Sequence, residues 1–436
     1  MDELNRSDKA SVTRRRGPWS WVPSLYVAEG LPYVAVMTVS VIMYKRLGIS
    51  NAEIAFYTSW LYLPWVIKPL WSPAVELVGL KRRWILIAEL LIGALFACVA
   101  LTLRMSAFFT YSLALFWLLA FSSATHDIAV DGFYMMGLPE HQQAAFVGVR
   151  STFYRLAMIA GQGALVVLAG LLEERWGGNV RMAWSVAFVA AGVVFLLLFL
   201  YHRIVLPSPA SDGRLHWVEG SGPMREFFRT FTLFFRKQNI GAVLAFLLLY
   251  RFAEAQLVKL VPPFLLDPQQ QGGLGLTTAQ VGVVYGTVGV AALICGGLLG
   301  GYVISLHGLR FWLWPMVVAI HLPDLVFVYL SQTLPTNLLV INAAVAVEQF
   351  GYGFGFTAYM MYMIMISEGD HRTAHYAICT GIMAMGMMVP GMLSGMVQQM
   401  VGYKSFFLWI MLSTIPGVIV AAAVRIDQKF GRREPR

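Results

Sequence analysis

Apolar and polar positions along this chain alternate in blocks: long hydrophobic runs are separated by short polar intervals. The runs cover residues 22–44, 53–78, 84–103, 107–136, 147–172 and 180–202, then 239–262, 278–304, 311–331, 335–366, 374–400 and 403–424. At 1.5 Å per residue, a helix of about 20 residues crosses the roughly 30 Å of hydrocarbon in a bilayer. The runs do not alternate with period two, so barrel strands are excluded, and backbone groups in lipid must then be satisfied within helices. The pattern predicts an all-α polytopic membrane protein with twelve transmembrane helices, here spans 1 to 12 in chain order.

The longest polar interval, residues 202–239, is rich in Pro, Gly, Ser and basic groups. It divides the chain into an N-terminal six-helix half (1–203), a cytoplasmic linker (204–238) and a C-terminal six-helix half (239–436). Within the linker, MREFFRTFTLFFRKQ alternates Phe with Arg and Lys, and reads either as an amphipathic helix on the inner leaflet or as a solvated tether. The halves echo each other, as internal repeats of a transporter do. LYVAEG with Glu29 in span 1 matches LYRFAEA with Glu254 in span 7. Arg150 to Tyr154 opens span 5 as Arg372 to Tyr376 opens span 11, and Gly170 precedes Gly177 as Gly395 precedes Gly402.

Composition agrees: 58% of the 436 residues are hydrophobic and 13% charged. The net charge of +9 is spread over many intervals, which argues against nucleic acid as a partner. With the N-terminus cytoplasmic, 21 Lys and Arg fall on the inner side and 6 on the outer, predicting that both termini are cytoplasmic. The first apolar run follows TRRRGPW without a small-residue cleavage site, so it is expected to remain as span 1. Cys98, Cys295 and Cys379 lie within spans and read as small core side chains. Trp19, Trp21, Trp71, Trp84, Trp176 and Trp312 read as interface anchors. No phosphate loop, HExxH, GxSxG or CxxC occurs, which points away from an enzyme, from ATP drive and from a cofactor or metal site.

Ionisable groups inside the spans are the candidate chemistry, because a charge at the bilayer centre costs on the order of 2.5–3.5 kcal/mol. SSATHDIAVDGFYMM (122–136) places Asp127 and Asp131 on one face of span 4, with His126 about 100° away. By helical rise, Asp127 and Arg155 lie about 13 and 12 Å from the inner edge, and Asp131 and Arg150 about 7 and 5 Å. Two ion pairs between spans 4 and 5 are expected: Asp131 with Arg150, a gate latch, and Asp127 with Arg155. Alternatively these charges line a water-filled path, with Asp127 carrying a proton. Glu29, beside Gly30 and Pro32, which can break a helix and expose backbone groups to a cavity, and Glu348, leading a Gly-rich run, are candidates for proton coupling and for the substrate cavity. Packing through Gly351, Gly353 and Gly355 is the other reading of that run. Arg251 pairs internally with Glu254, or else acts with Lys259 to attract an anionic substrate. Lys68 is expected to pair with Glu29 or Asp127, and His321 with Asp324 reads as a structural contact.

Several stretches together resemble the AmpG-type muropeptide permeases and related acetyl-CoA transporters, a branch of the major facilitator superfamily. They are KPLWSPAVELVGLKRRWIL (68–86), the span 4 motif, FYRLAM (153–158), EQFGYGFGFTAYM (348–360) and the segment 372–395. His126 and His375 stand where the family commonly has Gln, and Glu76 where it has Asp. The resemblance implies the two-half major facilitator fold and proton-driven import of anhydro-muropeptides across the bacterial inner membrane by alternating access. It also implies a monomer whose partners are a small-molecule substrate, protons and the bilayer. Carried over by position, Lys68, Asp127, Asp131, Arg155 and Glu348 serve transport, and Glu76, Arg82 and Arg83 occupy the gating turn after span 2. His126 and Arg251 complete the expected cavity lining. The rival readings are a transporter of another amphipathic anion, such as a CoA thioester, siderophore or drug, and a transport-inactive scaffold or sensor.

Overall fold

The computed structural model describes residues 17–77, 80–138, 140–208, 223–368, 372–428 and 430–432, and contains no strand among them. The side chains of Glu76 and Arg372 lie outside the described residues. Among the described residues, ten helices are long and apolar enough to cross a membrane: Pro18–Arg46, Lys81–Thr102, Phe108–Gly137, Gly148–Arg175, Val180–Val205, Ile240–Leu266, Thr278–His307, Leu309–Thr333, Leu338–Ser367 and Ala374–Ala423. The last turns at Gly402 (φ 74°, ψ 166°) and supplies spans 11 and 12. Span 2 consists of two helices, Asn51–Trp60 and Leu63–Leu77. The helices are thus consistent with the twelve crossings that the apolar pattern predicts.

Span 1 corrects one expectation. The helix does not break at Gly30 and Pro32; it continues through Val34 and widens into a π-helical segment, Ala35–Val39. Proline removes one N–H from the ladder, and a π bulge accommodates that loss without ending the helix. Gly30 serves packing here, since a Cβ on it would lie 2.8 Å from the Tyr154 carbonyl of span 5. Genuine interruptions occur elsewhere, at Tyr250–Arg251 in span 7 and at the short turn Leu322–Asp324 in span 9.

Two helix pairs join the first six spans to the last six at very close range. On one side, π segments Ile159–Leu165 of span 5 and Gly282–Gly289 of span 8 touch backbone to backbone, leaving only 1.9 Å between a Cβ on Gly286 and the Gln162 carbonyl. On the other, a Cβ on Gly395 of span 11 would meet the Asn51 carbonyl of span 2 at 2.1 Å. The glycine echo now has a structural meaning: Gly170 approaches Ala279 as Gly395 approaches Asn51, while Gly177 and Gly402 both take positive φ where their spans end. The spans facing these contacts begin with matching capping boxes, Ser50 with Glu53 and Thr277 with Gln280.

The linker contains a helix, Pro223–Phe235, whose Phe234 is buried 5.5 Å from the His375 ring while Phe228 and Phe235 stay exposed. Lys237 follows it and donates to the carbonyls of Ile366 and Glu368, binding the linker to the end of span 10. Two side-chain expectations change. Cys379 is buried but Cys98 and Cys295 face outward, as small apolar groups can on a lipid-facing surface. Trp21 is buried, edge-on to Phe133 at 5.4 Å, whereas Trp19 is 66% exposed.

Candidate transport site

Three carboxylates meet in the first six spans. Oxygens of Glu29 (span 1), Asp127 and Asp131 (span 4) lie within 4.8 Å of one another. Like charges this close repel, and two cations offset them. Arg150 of span 5 binds Asp131 at 2.7 Å and lies 4.6 Å over the Tyr26 ring, whose hydroxyl reaches Asp131 at 3.4 Å. Lys68 of span 2 forms the ion pair with Asp127. Among the described residues, Oε2 of Glu29 has no hydrogen-bond partner.

The expected pair between Asp127 and Arg155 does not form. Arg150 and Arg155 are five positions apart, about 140° around the helix, so both cannot face span 4. Arg155 turns toward span 8, where its guanidinium is 3.4 Å from the place a Cβ of Gly297 would occupy. It has no carboxylate partner among the described residues. Although they sit inside spans, Asp131 and Arg150 keep 38% and 32% of their side-chain surface, and Lys68 and Asp127 keep 26% and 18%, so this group faces an open interior.

His126 is fully buried on another face of span 4 and turns away from that group. Its Nε2 lies 3.5 Å from Glu89 Oε1 of span 3, which is also 2.5 Å from His202 Nδ1 of span 6. Ser24 contacts His202 Nε2 at 2.9 Å. The sequence reading missed Glu89 and His202; the signal was there, as Glu89 is a single acid inside span 3 and needed a partner.

In the last six spans, oxygens of Glu254, Asp324 and Glu348 also lie within 4.8 Å of one another, all buried. The expected pair between Arg251 and Glu254 is absent: Arg251 donates to the Tyr352 hydroxyl and stacks 4.6 Å over Phe356. The break at Tyr250–Arg251 re-aims the guanidinium toward span 10, away from the first turn of the helix that carries Glu254. Lys259 crosses to span 2, where it donates to Thr58 at 3.0 Å and lies 5.2 Å from the Tyr62 ring. Arg82 donates to the carbonyls of Arg203 and Leu206, and Arg83 is exposed, so Arg82 ties the turn after span 2 to the end of span 6.

At the end of the bundle away from the termini, the two sets of spans are clasped by polar groups that the sequence reading did not single out. Lys45 binds Asp267 at 2.6 Å, and Asn51 bonds Gln398 and Tyr403, both at 2.8 Å. Glu173 holds Arg46 at 2.9 Å and accepts from Thr278 of span 8 at 2.7 Å. Polar contacts bridge the two sets of spans at this end, while the group around Asp127 keeps part of its side-chain surface accessible.

Comparison with known proteins places this architecture. Residues 25–364 match the model of the Major Facilitator Superfamily. The chain is 26% identical to the anhydromuropeptide permease of Escherichia coli K12 over 418 residues, covering 93% of this chain and 79% of that protein. It is 22% identical to the putative transporter AmpG 4 of Rickettsia conorii, covering 91% and 94%. Among solved structures, a D-xylose-proton symporter matches with a TM-score of 0.69 at 12% identity, covering 95% and 98%. A bacterial homolog of the lysosomal transporter Spinster matches at 0.67 and 15%, covering 94% and 96%. All-helical packing, acids and bases drawn into the interior and a family match over most of the length agree: the chain is a membrane transporter and belongs to the Major Facilitator Superfamily.

Proposed function

We propose that this transporter imports anhydro-muropeptides, driven by the proton gradient, with its halves 1–203 and 239–436 rocking about the seams between spans 5 and 8 and spans 2 and 11. The observation that carries the reading is a trio of interior cations without carboxylate partners among the described residues: Arg155, Arg251 and Lys259. They come from spans 5 and 7 and sit among tyrosines, with Arg251 acting electrostatically on Tyr33 and Tyr62 and Arg155 on Tyr352 and Tyr154. A substrate that supplies carboxylates to the cations and sugar faces to the aromatic rings fits that lining. The similarity to the E. coli permease supports the muropeptide assignment.

Asp127, Glu29 and Glu348 are the coupling acids in this reading. In the N-terminal half, protonation of Asp127 frees Lys68 to bind substrate, and release restores the ion pair. Glu29 has no cation of its own and buffers the exchange. The excess of basic residues near the termini supports a cytoplasmic opening, with the clasped end toward the periplasm.

Uptake of labelled anhydro-muropeptide into proteoliposomes under an imposed pH gradient tests the proposal. Accumulation is expected to collapse on adding a protonophore; accumulation that persists overturns the coupling. The same cations suit another amphipathic anion such as a CoA thioester, so competition by that class with no muropeptide uptake would reassign the substrate.

A further inference from the structure

The C-terminal half holds more acid than the import cycle above uses. Glu254, Asp324 and Glu348 come from spans 7, 9 and 10, and their side chains are 1%, 1% and 2% exposed. Among the described residues, none of the four carboxylate oxygens of Glu254 and Asp324 has a hydrogen-bond partner, and Glu348 accepts only from Gln349 Nε2 at 3.0 Å. Arg251 donates to Tyr352 and stacks on Phe356; among the described residues it forms no ion pair with the three acids, though its charge acts on Glu254. The other titratable groups acting on them are Tyr62 from span 2, Tyr285 from span 8 and Tyr352 from span 10, while His321 of span 9 packs against Tyr250 and Gly417.

The backbone is shaped to bring these oxygens together. Span 7 restarts after Arg251, placing Glu254 in the first turn of Phe252–Leu266, and span 9 restarts at Leu325 with Asp324 immediately before it. One helix N-terminus, that of Phe252–Leu266, therefore adjoins the acids, while the Leu325 N–H is already bonded to the Leu322 and Pro323 carbonyls. Its partial positive charge, roughly half a unit, together with the Arg251 guanidinium, whose charge acts on Glu254, offsets about one and a half negative charges and not three. Away from water, carboxylates at this separation cannot all be ionised. The geometry demands that positive charge be bound there.

We propose that Glu254, Asp324 and Glu348 form one shared proton-binding site, distinct from the group of Glu29, Asp127 and Asp131. Its use as a second coupling site rests on the proton-driven reading above; its possession of protons does not.

Infrared spectroscopy of the full chain in nanodiscs at neutral pH tests this without transport. In the Glu29→Gln, Asp127→Asn protein, the carbonyl band of protonated carboxyls is expected to persist. It should weaken in Glu254→Gln, Asp324→Asn or Glu348→Gln added singly, with the remaining band titrating at least about one pH unit lower because a like charge has gone. Absence of the band in the Glu29→Gln, Asp127→Asn protein overturns the proposal, as does a band that appears only after chelation, which assigns the oxygens to a metal ion. Where a triad variant fails to fold, carbon-13 labelling of aspartate or glutamate in that same protein decides. A shared site shifts part of the band with each label, and an unshifted aspartate component overturns the sharing. Failure of muropeptide uptake with the band present refutes the import reading alone.

Discussion

Lys68 of span 2 is the cation that holds Asp127 of span 4, leaving Arg155 of span 5 free of any carboxylate among the described residues. That swap separates the pair of Arg150 with Asp131 from the pair of Lys68 with Asp127, and in the proposed cycle the first gates while the second exchanges its partner for substrate or proton. Lys68→Met is expected to destabilise the purified transporter by ~2 kcal/mol, below the full penalty for a sealed pair because both groups keep some water. Adding Asp127→Asn should recover most of that loss while leaving proton-driven uptake abolished. A double-mutant cycle on thermal unfolding, measured beside uptake, checks both outcomes.

Arg251→Lys is expected to weaken muropeptide binding about tenfold. An ammonium keeps the charge but loses the planar stack on Phe356, and one charge-assisted contact is worth about 1.5 kcal/mol or more. Lys259→Met should weaken binding similarly with little change in unfolding temperature, since the methionine stem fills the same space. Titration calorimetry on the detergent-solubilised protein reads both.

The polar clasp between Lys45 and Asp267, together with Glu173, Arg46 and Thr278, holds the far end shut. Asp267→Asn combined with Glu173→Gln should shift the population toward the opposite-facing state. Thr58, fully buried beneath the clasp, reports the change. In a background with Cys98, Cys295 and Cys379 replaced by Ala, a Thr58→Cys probe is expected to react several-fold faster with an impermeant maleimide added on the clasped face. An unchanged labelling rate would show that the clasp does not bias the equilibrium.

His126→Gln is expected to leave uptake within about twofold of the parent, because the imidazole faces Glu89 and not the interior group around Asp127. Glu89→Ala should instead lower the unfolding temperature strongly, by removing the one acceptor between two fully buried imidazoles at a cost of about 2–3 kcal/mol. Thermal melts of the two variants separate a structural network from a transport residue.

Reading the chain alone settled whatever depends on solvent preference along one dimension. Apolar runs gave the helices and nearly all their ends, and repeated short motifs gave the internal echo, because hydrocarbon imposes the same length and backbone demands on every crossing. Helix phase and rise placed Asp131 opposite Arg150 for the same reason, both being regular functions of residue number. Partner choice was another matter. Asp127 could pair with Lys68 or Arg155 by depth, and which it takes depends on how span 5 is rotated against spans 1, 4 and 8. The group of Glu254, Asp324 and Glu348 gathers, beside the irregular turns at Arg251 and Leu322–Asp324, side chains from spans 7, 9 and 10 that spacing along the sequence does not bring together. Burial of charge is dictated locally by composition, whereas its neutralisation is decided by contacts among four or five helices distant in sequence, and those only the packed bundle determines.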